Sequence, residues 1–370
     1  MQPLSELQNT SEKPPVSPKS DFLLTLWNKL SGSVGGFFEK LIETKPRWTL
    51  FILTLLWLLP GSADLPLVDR DEPRFAYATQ EMVTREAMGE PGAWVVPYFN
   101  GEYRFDKPPF VYWWMRLNYL LFGYNDFSAR LHSILATGIV VLLVHGFASR
   151  LYHKGVGFWS AFGFLTTVQV LQHGRLCVAD MPLMIFIIAG QWAAWELLQK
   201  SSWKFAALFW GALALGFTTK WVISWAVAAV AVGAYCLLAK RFPPIRNFKP
   251  VSGFVVMAGL IALWAVPAWL ATDGEFFKVG IGTHVLERGA EAMNARRYNP
   301  VFYLLTAFLS LMPWMGFFGA VPGFVKKAWD DRAKYLLGWA GGLYLVFSLA
   351  KTQLPHYVMP AFPPLLILIA

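Results

Sequence analysis

Apolar runs long enough to cross a lipid bilayer recur from residue 47 to the last residue of the chain. A helix that spans the hydrocarbon core needs roughly 17–25 mostly apolar residues. Only 15% of the residues are charged, whereas soluble domains average roughly a quarter. The sequence therefore predicts an all-α polytopic membrane protein with spans near 47–60, 129–149, 156–176, 182–198, 204–219, 221–239, 251–271, 301–323, 335–350 and 357–370.

Charge is distributed unequally between these runs. Residues 240–249 contain four basic residues and no acid, and the short segments 150–154, 199–204 and 326–334 also lean basic. Residues 61–108 instead hold nine acids against five bases. Short cytoplasmic loops collect Lys and Arg, so we expect these short segments inside and residues 61–128 and 273–300 in outer loops. The net charge of +9 then needs no nucleic-acid partner.

Neither the N-terminal segment nor the two cysteines predict additional folded structure. Residues 1–20 are polar and contain Pro and Ser, with no cleavable signal peptide, so residues 1–45 are expected to form a partly disordered cytoplasmic arm. Residues 46–370 then form the membrane domain. Cys177 and Cys236 both lie in apolar runs, which disfavours a disulfide framework.

Residues 108–122 allow two topologies. Their apolar run could span the membrane, but it is short and carries Arg116 and Asn118 near its middle. A full span would move the basic segments 150–154 and 240–249 outside. We favour a helix in the interface, because aromatic and Arg-bearing helices suit the headgroup region.

The stretch "VDRDEPRFAYATQEM" (68–82) predicts an amphipathic helix in the first outer loop. Asp71 can cap it, with Glu72 and Pro73 favourable in the first turn. Its charges could simply solvate the helix. Crowded carboxylates at a membrane surface can also have a raised pKa that suits proton transfer.

Other charged positions have both a structural and a functional interpretation. Lys107 could be a membrane anchor or a phosphate ligand, and Asp180 could cap a helix or act in catalysis. Lys220 lies between two apolar runs, where a charge is costly unless it meets water or a partner. His284 and Arg288 are four residues apart and would share a helix face.

The predicted topology brings distant residues to one outer face: Asp71, Asp106, Asp180, Lys220, His284 and His356. An anionic group (Asp69, Asp71, Asp106, Asp180) would adjoin a cationic one (Arg74, Lys107, Lys220, Arg288). Cations can hold a lipid phosphate at headgroup level while a carboxylate deprotonates a nucleophile. This pairing suits group transfer from a phosphate-linked lipid.

Six blocks in order resemble a known family: "DEPRFAYATQEMV", "FDKPPFVYWWM", "RLCVADMPLM", "GFTTKWV", "LMPWMGFF" and "SLAKTQLPHYVMPAFPPL". They are similar to those of bacterial aminoarabinose lipid A transferases and the related dolichyl-phosphate-mannose protein mannosyltransferase-like enzymes. These are GT-C membrane glycosyltransferases that use a polyprenyl-phosphate sugar. The resemblance implies a GT-C bundle with amphipathic juxtamembrane helices and an inverting transfer without a nucleotide sugar.

The resemblance also implies roles for individual residues. Asp71 would activate the acceptor, with Asp180 as a second functional carboxylate. The donor phosphate would be bound by Arg74, Lys107, Lys220, Arg288 and Tyr357. Asp106 stands where the family has Glu, which puts a metal or acceptor contact there in doubt. His284 resembles a metal-binding residue, and a divalent metal is left open as a cofactor.

Two departures matter. Trp221 follows Lys220 where the family commonly has glycine, and the chain ends in the apolar run "PPLLILIA" (363–370) although family members often continue. A short homologue and a fragment both fit this ending, and a truncated chain would lack part of its acceptor recognition.

The sequence thus predicts a glycosyltransferase of the bacterial inner membrane with its site on the periplasmic face. The acceptor would be a lipid such as lipid A, another glycolipid or a protein. A transporter or flippase without chemistry is the alternative, although no clear internal repeat supports it. A non-catalytic lipid-binding scaffold would tolerate loss of the acids but not of the cations.

Overall fold

The computed structural model describes residues 36, 40, 42–68, 71–283 and 299–370, and most of these are helical. The α-helices are α1 Pro46–Leu58, α2 Asp71–Ala87, α3 Phe110–Phe122, α4 Asp126–Leu151, α5 Lys154–Thr166, α6 Val168–His173, α7 Asp180–Gln199, α8 Trp203–Lys220, α9 Ile223–Ala239, α10 Pro250–Ala271, α11 Glu275–Ile281, α12 Phe302–Ser310, α13 Val321–Lys327, α14 Asp331–Leu349 and α15 Phe362–Ile369. Short 3₁₀ helices cover Ile245–Phe248, Trp314–Ala320 and Pro355–Ala361.

Long apolar helices pack side by side to form the bundle. Helix α4 packs against α5 and α7, α7 packs against α8, and α9 packs against α14. Within the described ranges, three helices are long and apolar enough to cross a membrane, or four if a bent pair is one span: Asp126–Leu151, Asp180–Gln199, Ile245–Ala271, and Phe302–Ser310 with Trp314–Gly323. The predicted all-α polytopic membrane fold is confirmed.

Two of the expected spans are not continuous helices. The run 156–176 divides into α5 and α6, because the Thr167 side chain caps α6 and the Val168 N–H leaves the helical ladder to bond the Met312 carbonyl at 3.0 Å. The run 301–323 bends by 119° between its two helices. Continuous spans over these two runs were therefore wrong predictions, since apolar composition alone does not reveal such breaks.

The dimensions of helix α3 bear on the two topologies of residues 108–122. It has 13 residues, which at 1.5 Å per residue is about 20 Å. That length is well short of the roughly 30 Å hydrocarbon core. The helix also carries Arg116 near its middle, where it pairs with Glu86 of α2 at 2.9 Å. Its dimensions favour the interfacial placement.

Helix α2 confirms the predicted amphipathic helix in the first long connection. Phe75, Ala78 and Met82 are buried on one face, together with Glu72. The described part of the helix begins at Asp71, which lies in the first turn with Glu72, and the cap expected from Asp71 stays a prediction. Its carboxylate can still interact favourably with the helix dipole there.

A buried ion pair fastens α2 to the bundle. Glu72 is 0% exposed and Arg130 of α4 is 4% exposed. Both guanidinium contacts to the carboxylate are 2.9 Å long. The Glu72 carboxylate also accepts hydrogen bonds from the backbone N–H groups of Val68 and Cys177, each at 2.8 Å. Arg130 donates further to the backbone carbonyls of Ser62, Leu65 and Pro66. Three stretches of chain therefore meet at one pair of charges.

The substitution Glu72→Gln is expected to destabilise the fold by about 3–5 kcal/mol, because it leaves the Arg130 guanidinium buried without a counter-charge. Glu86→Gln on the same helix is the matched control, since Glu86 and its partner Arg116 are 37% and 41% exposed, and pairs this open to water contribute about 1 kcal/mol or less. Thermal unfolding in detergent measures both. Equal unfolding temperatures for the two variants would contradict this account.

Candidate functional site

Most of the predicted site residues line one cavity of about 420 Å³. Of the residues named from the sequence, the cavity wall includes Asp71, Arg74, Asp106, Lys107, Asp180, Lys220, His356 and Tyr357. The predicted convergence of distant charges is therefore confirmed for these residues. His284 and Arg288 lie outside the described residues, as does Asp69.

Lys220 and Asp180 form the central ion pair of the cavity. Lys220 is the last residue of α8, and its ammonium lies 2.7 Å from the Asp180 carboxylate at the start of α7. Both side chains are mostly buried, at 17% and 13% exposure. The partner that Lys220 requires at this depth is thus 40 residues away in sequence. An ammonium carries three donors, so this contact leaves Lys220 able to bind an anion as well.

The geometry argues against a helix-capping role for Asp180. Helix α7 begins at Asp180, Ala179 occupies the capping position, and no side chain there makes a capping hydrogen bond. The carboxylate instead points to Lys220, and His356 Nε2 lies 3.9 Å from the same oxygen. Asp180 therefore holds a cation and an imidazole at the cavity wall.

A tight hairpin delivers a second charged group to the cavity. Strands β1 (Tyr98–Phe99) and β2 (Glu102–Tyr103) pair antiparallel, with Tyr98 opposite Tyr103. The turn is Asn100-Gly101, and both residues have positive φ angles (56° and 81°), as an Asn-Gly two-residue turn requires. The chain leaving this hairpin carries Arg104, Asp106 and Lys107. The Asn-Gly turn signal is visible in the sequence "FNGEY" (99–103).

Asp106 lies between two cations. Lys107 Nζ is 2.8 Å from Oδ1 of Asp106, and Arg104 is 3.3 Å from Oδ2. Arg104 also donates to the Tyr112 hydroxyl at 3.1 Å. Burial by itself lowers the pKa of Arg104, but Tyr112 and Asp106 raise it above its ordinary value. The guanidinium therefore stays charged within the cavity wall. Arg104 was not among the predicted site residues.

Asp71 and Arg74 occupy a more exposed part of the wall. They are one turn apart on α2, with 3.9 Å between the guanidinium and the carboxylate, and their side chains are 48% and 41% exposed. Phe75, the next residue, also lines the cavity. Asp71 is therefore the most accessible of the three predicted carboxylates that the structure describes, ahead of Asp106 and Asp180.

Histidines add to the Asp180 end of the cavity. The rings of His173 and His356 are 4.7 Å apart, and ligand atoms of His173, Asp180 and His356 all lie within 4.8 Å of one another. His356 follows Pro355 in the last sequence block, whereas His173 was not predicted. Tyr357 is adjacent, with its ring centroid 5.7 Å from the Lys220 ammonium.

These surroundings fit an anion better than a metal ion. A cation at Asp180 would compete with the Lys220 ammonium at 2.7 Å, and both oxygens of Asp106 already face Lys107 and Arg104. Like charges at these distances repel. The donor set at Asp106 therefore does not fit a divalent metal.

Comparisons with known proteins agree with the sequence motifs. Residues 106–269 match the family of dolichyl-phosphate-mannose-protein mannosyltransferases. An undecaprenyl phosphate-alpha-4-amino-4-deoxy-L-arabinose arabinosyl transferase of Aeromonas salmonicida is 31% identical over 335 residues, which are 88% of this chain and 59% of that protein. The protein of the same name from Edwardsiella ictaluri is 32% identical over 87% of this chain and 57% of its own length. The chain thus spans less than three fifths of these relatives.

Solved structures share the fold. ArnT from Cupriavidus metallidurans bound to undecaprenyl phosphate superimposes with a TM-score of 0.78 at 22% identity, covering 87% of this chain and 59% of that one. The Archaeoglobus fulgidus oligosaccharyltransferase gives a TM-score of 0.56 at 12% identity, covering 87% of this chain and 50% of that one. The resemblance expected from the sequence blocks is confirmed as a similarity to aminoarabinose transferases, and the chain shares the fold of ArnT and of the oligosaccharyltransferase.

Proposed function

We propose that this protein transfers a sugar from a polyprenyl-phosphate donor to an acceptor at the periplasmic face of the bacterial inner membrane. The observation that carries the proposal is the single cavity that joins Asp71 to three mostly buried cations, Arg104, Lys107 and Lys220. The names of the similar proteins support a donor built on undecaprenyl phosphate. The aminoarabinose donor in those names is the first substrate to test.

The cations suit the leaving group of such a transfer. In a polyprenyl-phosphate sugar the phosphate is a diester, and departure of the sugar turns it into a monoester that carries one more negative charge. Lys107 and Lys220 therefore stabilise the departing phosphate more than the bound donor, and such differential stabilisation accelerates a reaction. Because both cations are held by carboxylates, they need little reorganisation as the charge develops.

The carboxylates divide into two roles. Asp180 and Asp106 are each in contact with a lysine ammonium at 2.7–2.8 Å, which favours their charged form and suits them to positioning cations. Asp71 is about half exposed at the cavity wall. In our proposal Asp71 takes the proton from the acceptor nucleophile, whose oxygen or nitrogen then attacks the anomeric carbon while the carbon–oxygen bond to the phosphate breaks. A single displacement of this kind inverts the configuration of the sugar.

The remaining cavity wall is apolar and suits the first isoprene units of the donor. Leu183, Met184, Phe347 and Met359 line it alongside the charged groups. Charged and apolar side chains in one cavity match a prenyl phosphate. A transporter or flippase draws no support from the similar proteins, which are named as transferases.

Lys220→Ala is expected to lower the turnover number by about 10²–10³, the usual effect of losing one transition-state donor. Lys204→Ala is the matched control, because Lys204 lies exposed in the first turn of the same helix and does not line the cavity. Sugar transfer from undecaprenyl phosphate-aminoarabinose to lipid A, followed with purified protein in nanodiscs, measures both. Equal turnover by the two variants would refute the site.

Asp71→Asn is expected to lower the turnover number by about 10²–10⁴ while the affinity for undecaprenyl phosphate stays close to that of the wild type, since a general base acts on the acceptor. Asp64→Asn, an exposed carboxylate in the preceding connection, is the control and should leave both quantities unchanged. Wild-type turnover by Asp71→Asn would show that the base lies elsewhere.

Cells that lack the gene should lose one sugar from a lipid or surface glycan, because a transferase leaves its acceptor unmodified when absent. Mass spectrometry of membrane lipids and surface glycans, with and without the gene, identifies both the sugar and the acceptor. Complementation with Lys220→Ala should fail to restore the missing mass. An unchanged profile in the deletion strain would count against a transferase.

A further inference from the structure

Trp221 adopts a backbone conformation that an L-residue rarely holds. It follows Lys220 at the end of α8 with φ 53° and ψ −143°, a region that favours glycine. The structure nevertheless keeps the largest side chain at this position and buries it to 2% exposure. A strained backbone persists only where the surroundings fix it, and such positions are common at functional sites.

The indole of Trp221 reaches the second charged group of the cavity. Its N–H donates to the backbone carbonyl of Asp106 at 3.1 Å. The same carbonyl lies 3.3 Å from Lys107 Nζ, which also contacts the Asp106 carboxylate at 2.8 Å. The indole therefore fixes the peptide around which the Lys107 side chain folds. Trp221 directly follows Lys220 in the chain. Its backbone is therefore joined to one lysine, while its side chain holds the peptide next to the other.

The other side of the ring is fixed by α11. Phe276 packs against it at a centroid distance of 5.4 Å. A Cβ atom added to Gly280 would come within 2.2 Å of the ring and 3.0 Å of the Phe105 carbonyl oxygen. Only glycine at position 280 allows the indole to come this close to α11. The indole is therefore packed between α11 and the chain that carries Asp106 and Lys107.

We propose that Trp221 is a positioning residue that holds Lys107 at the distance from Lys220 at which both ammonium groups bind one phosphate. This inference rests on the proposed function for the identity of the anion, but the placement of Lys107 can be measured without any ligand. A glycine at 221 would relax the backbone and lose the anchor. The strain at Trp221 is then the consequence of keeping a hydrogen-bond donor at this place.

Trp225 provides a matched control. Its indole N–H also donates to a backbone carbonyl, that of Leu213 at 3.0 Å, and its ring stacks on Phe217 at 4.8 Å. It does not line the cavity among the residues that the structure describes. The variants Trp221→Phe and Trp225→Phe therefore each remove one indole hydrogen-bond donor, and only the first contacts the chain that carries Lys107.

The first measurement is acetylation of Lys107 by an N-hydroxysuccinimide ester, quantified by peptide mass spectrometry against Lys204 in the same full-length protein. Loss of one hydrogen bond should speed acetylation of Lys107 by about three- to tenfold in Trp221→Phe, with Trp225→Phe unchanged. Trp221→Gly should show the same increase although its backbone is relaxed. Wild-type acetylation of Lys107 in both Trp221 variants would overturn the proposal.

The second measurement is the affinity for undecaprenyl phosphate, determined by calorimetry in detergent. Trp221→Phe should bind about three- to tenfold more weakly, whereas Trp225→Phe should match the wild type. If Lys220→Ala weakens binding and Trp221→Phe does not, the positioning role in phosphate binding is wrong and the proposed function stands. If no variant, including Lys220→Ala, differs from the wild type in lipid affinity, the proposed function fails, and Lys107 acetylation still decides whether Trp221 holds that lysine.

Discussion

A charge taken out of water must meet an opposite charge, and this constraint organises the whole protein. Two pairs satisfy it at different depths. Glu72 and Arg130 are 0% and 4% exposed and are surrounded by backbone hydrogen bonds, so no ligand can reach them. Asp180 and Lys220 are 13% and 17% exposed and line a cavity. The first pair fixes the connection that carries α2, and the second offers a cation to an incoming anion. Breaking either pair leaves a poorly solvated charge behind.

The fold brings residues that are far apart in the sequence together in one site. Helix α2 contributes Asp71, the chain after the hairpin contributes Asp106 and Lys107, and the facing ends of α7 and α8 contribute Asp180 and Lys220. The last 3₁₀ helix adds His356 and Tyr357. Each carboxylate that lies deep in the cavity contacts a lysine, while the accessible one lies on an amphipathic helix. This separation of cation-holding acids from an accessible acid is what makes transfer chemistry physically reasonable here.

Much of this could be predicted because charge and hydropathy are local in sequence. The apolar runs indicate the bundle, and the apolar residues spaced three to four apart in 71–87 indicate α2. A lone lysine between two apolar runs indicates a partner, which is Asp180. Tertiary features could not be predicted in this way. The Glu72–Arg130 pair joins residues 58 positions apart. The helix break at Thr167 depends on a hydrogen bond to the Met312 carbonyl, and the Arg104 side chain is positioned by a hydrogen bond to the Tyr112 hydroxyl. Trp221 lies between these two cases. A tryptophan where glycine is common indicates an unusual backbone conformation, but the sequence does not show which carbonyl its indole binds.

The central claim is that the charged cavity holds a polyprenyl phosphate. An electron cryomicroscopy structure of the protein in nanodiscs with undecaprenyl phosphate tests it most directly. The account predicts density for the phosphate within hydrogen-bond distance of both Lys107 Nζ and Lys220 Nζ, with the prenyl chain beside Leu183 and Met359. Density for the phosphate outside this cavity, with the Asp180–Lys220 pair left bare, would contradict it.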